Sequence, residues 1–286
     1  MKKIYIAVSC LFVTGLSFAQ PLSTGVSSAG KIKLTNGQKI VVENTTDIQA
    51  SLIMGMEVTG KSITINLLEV KNSTDKDYTI SSTLTKLKVN MNMMGQPNNY
   101  DSENKESNNE EMAKIFDERM NKPVDVIIDN STGASLTEKK KAKKQDADDT
   151  NPADELMKMF SDNSDDAIVS GAFAIIPQGK STGDSWADTT TAKDLKVIRK
   201  YTLNAVSGSE ATIQTDIVSN AVSKLNFQGM EFEIKTETKT KAEIIADINT
   251  GLVKKRTSTA DISGSIPMMG QDMPISAKAT TTNIYK

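Results

Sequence analysis

Beyond Cys10, methionines carry the only soft ligand chemistry of this chain, and three groups stand out: Met54 and Met56; Met91, Met93 and Met94; and Met268, Met269 and Met273. Thioethers suit Cu(I), and their flexibility also suits adaptable apolar surfaces. Carboxylates cluster between Asp146 and Asp154 and between Asp162 and Asp166. A calcium loop needs a glycine at position six and a glutamate at position twelve. Counted from Asp146 those positions are Asn151 and Met157, and counted from Asp162 they are Ala167 and Phe173, so neither cluster fits. Gly183-Asp184-Ser185-Trp186 has the outline of a nucleophile turn, but the chain contains no histidine and its one cysteine is Cys10. A hydrolase would then need a Ser-Lys pair, two carboxylates or a metal, and no Gly-x-Ser-x-Gly elbow or Ser-x-x-Lys opening a helix stands in a convincing setting. The bland reading of that turn is a bend at Gly183, a local backbone bond from Asp184 and a core plug at Trp186. The carboxylates read as solvated linker, with nothing to bury them and shift a pKa. The methionines read as core or hairpin packing, or as an apolar ligand surface whose candidate contacts are Met91, Met93, Met94, Met268 and Met269. No catalytic residue, metal ligand or cofactor is assigned.

The elements that would position these residues are mostly strands. Alternating runs cover 62–70, 78–91, 196–206, 211–222, 230–247 and 252–266, with a shorter strand at 124–128. Turn chemistry separates them at Asn36-Gly37, 72–77, Asn130 to Gly133, Ser207-Gly208-Ser209, Gln228-Gly229 and Asn249-Thr250-Gly251. Strands this close in sequence pair antiparallel. Two helices interrupt the meander. Ser107 and Glu110 have capping-box spacing before Met112, Ile115, Phe116 and Met120, which predicts a helix near 107–121. Asn151-Pro152 opens a second over 152–161 that carries Leu156, Met159 and Phe160. Between them, Lys139-Lys140-Lys141 and Lys143-Lys144 are followed by Asp146, Asp148 and Asp149, a self-neutralising linker over 138–150.

The N-terminus is a signal peptide by pattern: Lys2-Lys3, an apolar stretch from Ile4 to Leu16, and Ser17-Phe18-Ala19, with cleavage expected between Ala19 and Gln20. The apolar stretch is shorter than a spanning helix, so the mature chain is expected to be exported, periplasmic or extracellular, with neither transmembrane segment nor lipid anchor. Removing residues 1–19 takes away two lysines and no acid, moving the formal charge from −2 to −4. That balance argues against a nucleic-acid partner. Without cysteine, stability must come from packing and the β ladder. Ten aromatic residues remain, too few for a sugar-stacking platform.

Met93-Met94-Gly95-Gln96 is echoed by Met268-Met269-Gly270-Gln271, and Asp129 to Gly133 by Asp247 to Gly251. The first hairpin, Tyr100-Asp101-Ser102, the helix after it, the strand ending at Gly133, Gly183 to Trp186 and the Asp247 turn occur in an order that resembles a family of uncharacterised secreted β-rich bacterial proteins. That resemblance implies no activity. Long strands with two covering helices also resemble, in shape, the half-barrels of periplasmic lipoprotein and lipid carriers. The expected fold is mainly β (α+β): long curved antiparallel sheets in two lobes, 20–137 and 151–286, each with one short helix. The expected function is a non-enzymatic binding protein that holds an apolar or lipid-like ligand on a concave sheet. The alternative is an envelope-associated structural or protein-interaction module with a filled core.

Overall fold

The computed structural model describes residues 30–51, 57–93, 95–136, 164–192, 194–227, 230–268 and 271–286. The signal segment, the 138–150 linker, the helix expected at 152–161, and Met54, Met56, Met94 and Met269 lie outside them. Eleven strands form one mainly antiparallel sheet: β1 (Lys39–Ser51), β2 (Glu57–Ser73), β3 (Asp77–Met93), β4 (Gln96–Asp101), β5 (Pro123–Asp129), β6 (Ser185–Ala192), β7 (Leu195–Ser207), β8 (Glu210–Phe227), β9 (Met230–Asp247), β10 (Val253–Met268) and β11 (Gln271–Tyr285). Their order is β4-β3-β2-β1-β11-β10-β9-β8-β7-β6, with β5 beside β3, so the sheet is open. Two short helices, α1 (Glu110–Asp117) and α2 (Ser164–Gly171), and a 3-10 turn at Lys105–Ser107 complete the described elements.

Alternation explains most strands. In β11, Ile275, Ala277, Ala279, Thr281 and Tyr285 are buried on one side, while Ser276, Lys278 and Thr280 face water. The β1–β11 pairing, from Val42↔Tyr285 to Ser51↔Ser276, joins the two halves of the chain in one sheet. β1, β4, β6 and β11 are additional to the strands expected from sequence. In β1 and β11 the inward alternation breaks at Asn44, Thr46, Thr281 and Asn283, which sit opposite one another, and Thr46 Oγ1 bonds Thr281 Oγ1 at 3.1 Å. This polar belt divides the inner face. One core gathers Ile32, Ile80, Ile128, Val169, Phe173, Leu203 and Ile213; the other gathers Val58, Leu87, Met91, Met112, Ile234, Ile262 and Ile266.

α1 is shorter than expected. Its cap is Asn109, whose Oδ1 accepts from the Met112 N–H at 3.2 Å, and the residues around Ser107 form a separate 3-10 turn. Beyond α1, the Arg119 and Met120 N–H groups both bond the Phe116 carbonyl, and Asn121 turns away at φ 60°. α2 was not foreseen; its markers are Asp165 and Asp166 in the first turn.

The echoed Asp-x-x-Thr-Gly turns share one geometry. Asp129 Oδ1 accepts from the Ser131 and Thr132 N–H groups at 2.9 and 2.8 Å, and Asp247 Oδ1 from Asn249 and Thr250 at 2.9 and 3.0 Å. Gly133 and Gly251 follow at φ 71° and 74°. The turns grip one segment between them: the Ile32 N–H bonds Asn130 O at 2.9 Å, and the Lys33 N–H bonds Thr250 O at 3.1 Å. Burial would raise both carboxyl pKa values, but the hydrogen bonds outweigh it and hold them below the usual range. The fold therefore favours the charged form. Its contribution is full above the ordinary carboxylate pKa of about 4 and is lost as pH falls through the lower folded value. Urea midpoints are expected to fall more steeply below about pH 4 in the wild type than in an Asp129→Asn/Asp247→Asn double variant. Parallel slopes would refute this role for the turns.

Candidate functional site

Of the candidate residues, Met91 falls on the inner face of the sheet, which α1 and α2 cover. Met91 is 7 % exposed and packs in the second core, to which Phe116 and Met120 contribute from the α1 side. Met93 pairs with Gln96 at the β3–β4 turn, and Met268 with Gln271 at the β10–β11 turn. Both hairpins lie at the same end of the sheet, but β2 and β1 stand between β3 and β11. Three strand spacings, about 14 Å, separate the backbones of the two hairpins along the sheet. Among the described residues no group of histidine, cysteine, aspartate or glutamate could hold a metal ion.

The Gly183 turn takes the bland form. Gly183 has φ 94°, Asp184 Oδ2 accepts from the Ser181 N–H at 2.8 Å, and Trp186 stacks on Tyr201 with ring centroids 5.4 Å apart. Ser185 Oγ shares a hydrogen bond with Thr202 Oγ1 at 2.9 Å. Beyond Trp186, Arg199 is 3 % exposed, and its Nη1 donates to Asp188 Oδ1 at 2.8 Å and to Thr190 Oγ1 at 2.9 Å. Burial, together with Asp188, pushes the Tyr201 hydroxyl well above its ordinary pKa.

The carboxylate reading needs one correction. Asp165 does not lie in a solvated linker; it is 8 % exposed, its Oδ1 accepts from Ser82 Oγ at 2.9 Å, and its Oδ2 pairs with Arg119 Nη2 at 2.6 Å. Burial raises its pKa, with the Arg119 charge and the Ser82 bond opposing. Ser135 Oγ donates to the adjacent Asp166 at 2.8 Å. At the other end of α2, Tyr285 Oη donates to Gly171 O at 2.9 Å. Because Ser82 is on β3 and Tyr285 on β11, α2 crosses β3, β2, β1 and β11 on the inner face. Its eight residues span about 12 Å, which suits that crossing. No spacing rule announces Arg119–Asp165, since only the helix crossing brings the two together.

Chain 173–175, after α2, roofs an apolar hollow floored by Trp186, Tyr201, Ile213, Ile217 and Ile244, with Arg256 at its wall. The hollow measures about 20 Å³, room for a water molecule but not for an acyl chain. Wider hollows of about 540 and 650 Å³ open on the polar face, share Gln49, Thr59 and Lys278, and include Asp47, Lys61 and Asp261 in their walls.

The molecule is thus a mainly β protein built on one open antiparallel sheet with short helices on its apolar face. It belongs to the DUF6263 family, a family of unknown function whose sequence profile matches residues 75–253. No curated protein matches the sequence. Among solved structures, lipovitellin is similar at 7 % identity and a TM-score of 0.48, over 89 % of this chain but only 25 % of its own. An outer membrane channel from Pseudomonas putida F1 is similar at 8 % identity and a TM-score of 0.26, over 91 % of this chain and 100 % of its own.

Proposed function

We propose that this chain is an exported, non-enzymatic interaction module that works from the surface of a filled β scaffold. One observation carries the choice over an apolar-ligand carrier: Leu87, Met91, Ile262 and Ile266, which would line a carrier's cavity, are 3–7 % exposed and packed in a single core with Met112. A carrier needs an elongated apolar hollow, typically several hundred Å³. The apolar hollow beside Trp186 is about 20 Å³, whereas the wider hollows of about 540 and 650 Å³ lie on the polar face among mixed charges and amides. Export rests on the charged, apolar and small-residue pattern of residues 1–19. The non-enzymatic reading rests on the absence of histidine and cysteine from residues 20–286. The test is native mass spectrometry of protein purified from its own envelope, followed by solvent extraction and lipid analysis. The polypeptide is expected to fly without an adduct and to leave fluorescent fatty acid free. Stoichiometric lipid in the extract would overturn the filled-scaffold reading and restore the carrier, with α2 as the element that must move.

A further inference from the structure

The two edges of the sheet differ. At one edge, β4 contains Pro97 and is covered by the approach to α1, where the Asn109 N–H bonds Asn99 O at 2.9 Å and Asn108 Oδ1 receives the Asp101 N–H at 2.7 Å. β5 beside it begins at Pro123, and the Leu136 N–H bonds Ile127 O at 2.7 Å. These are ordinary means of blocking an exposed edge. Among the described residues, β6, the other edge, has none of them beyond Ser185. Its sequence, Ser-Trp-Ala-Asp-Thr-Thr-Thr-Ala, holds no proline or lysine, its register with β7 is unbroken, and its one charge, Asp188, is engaged by Arg199.

The direction of the free groups follows from the β7 pairing. The Leu203 N–H bonds Asp184 O at 3.0 Å, so along the strand Trp186, Asp188 and Thr190 point their main-chain groups at β7. Ser185, Ala187, Thr189 and Thr191 point theirs outward. Lys180 Nζ closes the first of these by donating to Ser185 O at 2.9 Å, and the strand ends at Ala192. An open ladder from Ala187 to Thr191 remains, with Thr189 at its midpoint.

We propose that β6 is a self-pairing edge, through which two copies of this chain join antiparallel about a two-fold axis at Thr189. Alternating N–H and C=O groups at this spacing are complemented by an extended main chain. The register centred on Thr189 sets Thr189 against itself, Ala187 against Thr191 and Asp188 against Thr190, so no like charges meet. A register centred on Asp188 would oppose two carboxylates. The Thr189 register forms about six main-chain hydrogen bonds, and it makes an isologous, closed contact.

Sedimentation equilibrium across a concentration series tests the proposal. A reversible dimer is expected, weakened about tenfold or more in Thr189→Pro, where the lost N–H faces away from β7 and the edge tolerates the ring. Thermal melting of that variant checks that the monomer still folds; Thr189→Lys, which keeps the backbone intact, must weaken the dimer as well. In a Cys10→Ser background, Thr189→Cys is expected to cross-link the dimer under mild oxidation and Ala187→Cys is not, because only residue 189 meets its own copy. A monomer at every concentration up to about 1 mM overturns the proposal. So does a dimer indifferent to both 189 variants, or one cross-linked equally at 187.

Discussion

Alanine at Gly264 is expected to be among the most destabilising single substitutions in this protein. Gly264 lies inside β10 between Thr236 of β9 and Ile275 of β11. A Cβ there would come within 2.5 Å of the Lys235 carbonyl oxygen, 3.1 Å of Thr236 Cγ2 and 3.3 Å of Ile275 Cγ1. The first contact is with backbone held in the β9–β10 ladder, so relief requires the ladder itself to shift. The cost is expected at about 2–4 kcal/mol, read as a lowered urea midpoint with an unchanged slope. Gly60 provides the comparison within the same sheet. Its added Cβ would meet Ile48 Cγ2 at 3.3 Å and Asn90 O only at 3.7 Å, and a side-chain methyl can yield. Gly60→Ala is therefore expected to stay within about 1 kcal/mol of wild type. Equal shifts in the two variants would show that close backbone approach at Gly264 is not what matters.

Asp188→Ala is expected to cost nearly as much, by a different mechanism. The Asp188 and Arg199 side chains are 15 % and 4 % exposed and meet at 2.8 Å. Removing the carboxylate takes one close charged partner from a desolvated guanidinium that keeps its bond to Thr190, at about 2–4 kcal/mol. Replacing both partners should cost less than replacing one, because the penalty lies in a buried charge that has lost its paired carboxylate. Asp188→Ala/Arg199→Met is expected to recover at least half of the loss, with unfolding followed through the fluorescence of the single tryptophan, Trp186, at the same strand pair. If the double variant is as unstable as the sum of the two single ones, the pair is not energetically coupled. The substitution also removes the only charge from β6, so its effect on stability should be measured at concentrations where the chain is monomeric.

Much of the fold is legible in alternation alone. The span expected for β9, 230–247, coincides with the strand, and those for β3, β7 and β10 differ by one or two residues at each end. β1 and β11 escape the pattern because Asn44, Thr46, Thr281 and Asn283 take inward positions, where the polar belt divides the two cores. β6 and β4 escape because one is rich in threonine and the other in asparagine, with few apolar positions to mark a face. α2 is short and begins with aspartates that local reading assigns to solvent.

By itself, the amino-acid sequence determines the antiparallel class, most turns, the bend at Gly183 and the twin aspartate turns, since each depends on residues within a few positions of one another. It also determines that residues 20–286 carry neither thiol nor imidazole. The tertiary structure decides what happens between distant residues. It seals β1 to β11 so that one sheet runs through both halves, and it sends α2 across four strands so that Asp165 reaches Ser82 and Arg119. It places Met91 in a packed core and separates the Met93 and Met268 hairpins by the width of two strands. Among the described residues it also leaves β6 uncovered from Ala187 to Thr191. The physical reason is common to all of these: periodicity and turn chemistry are encoded by neighbours along the chain, whereas strand order, helix crossing and edge exposure follow from which surfaces bury one another. Of the methionines that looked like chemistry in the sequence, Met91 therefore goes to core packing, while Met93 and Met268 sit at hairpin ends.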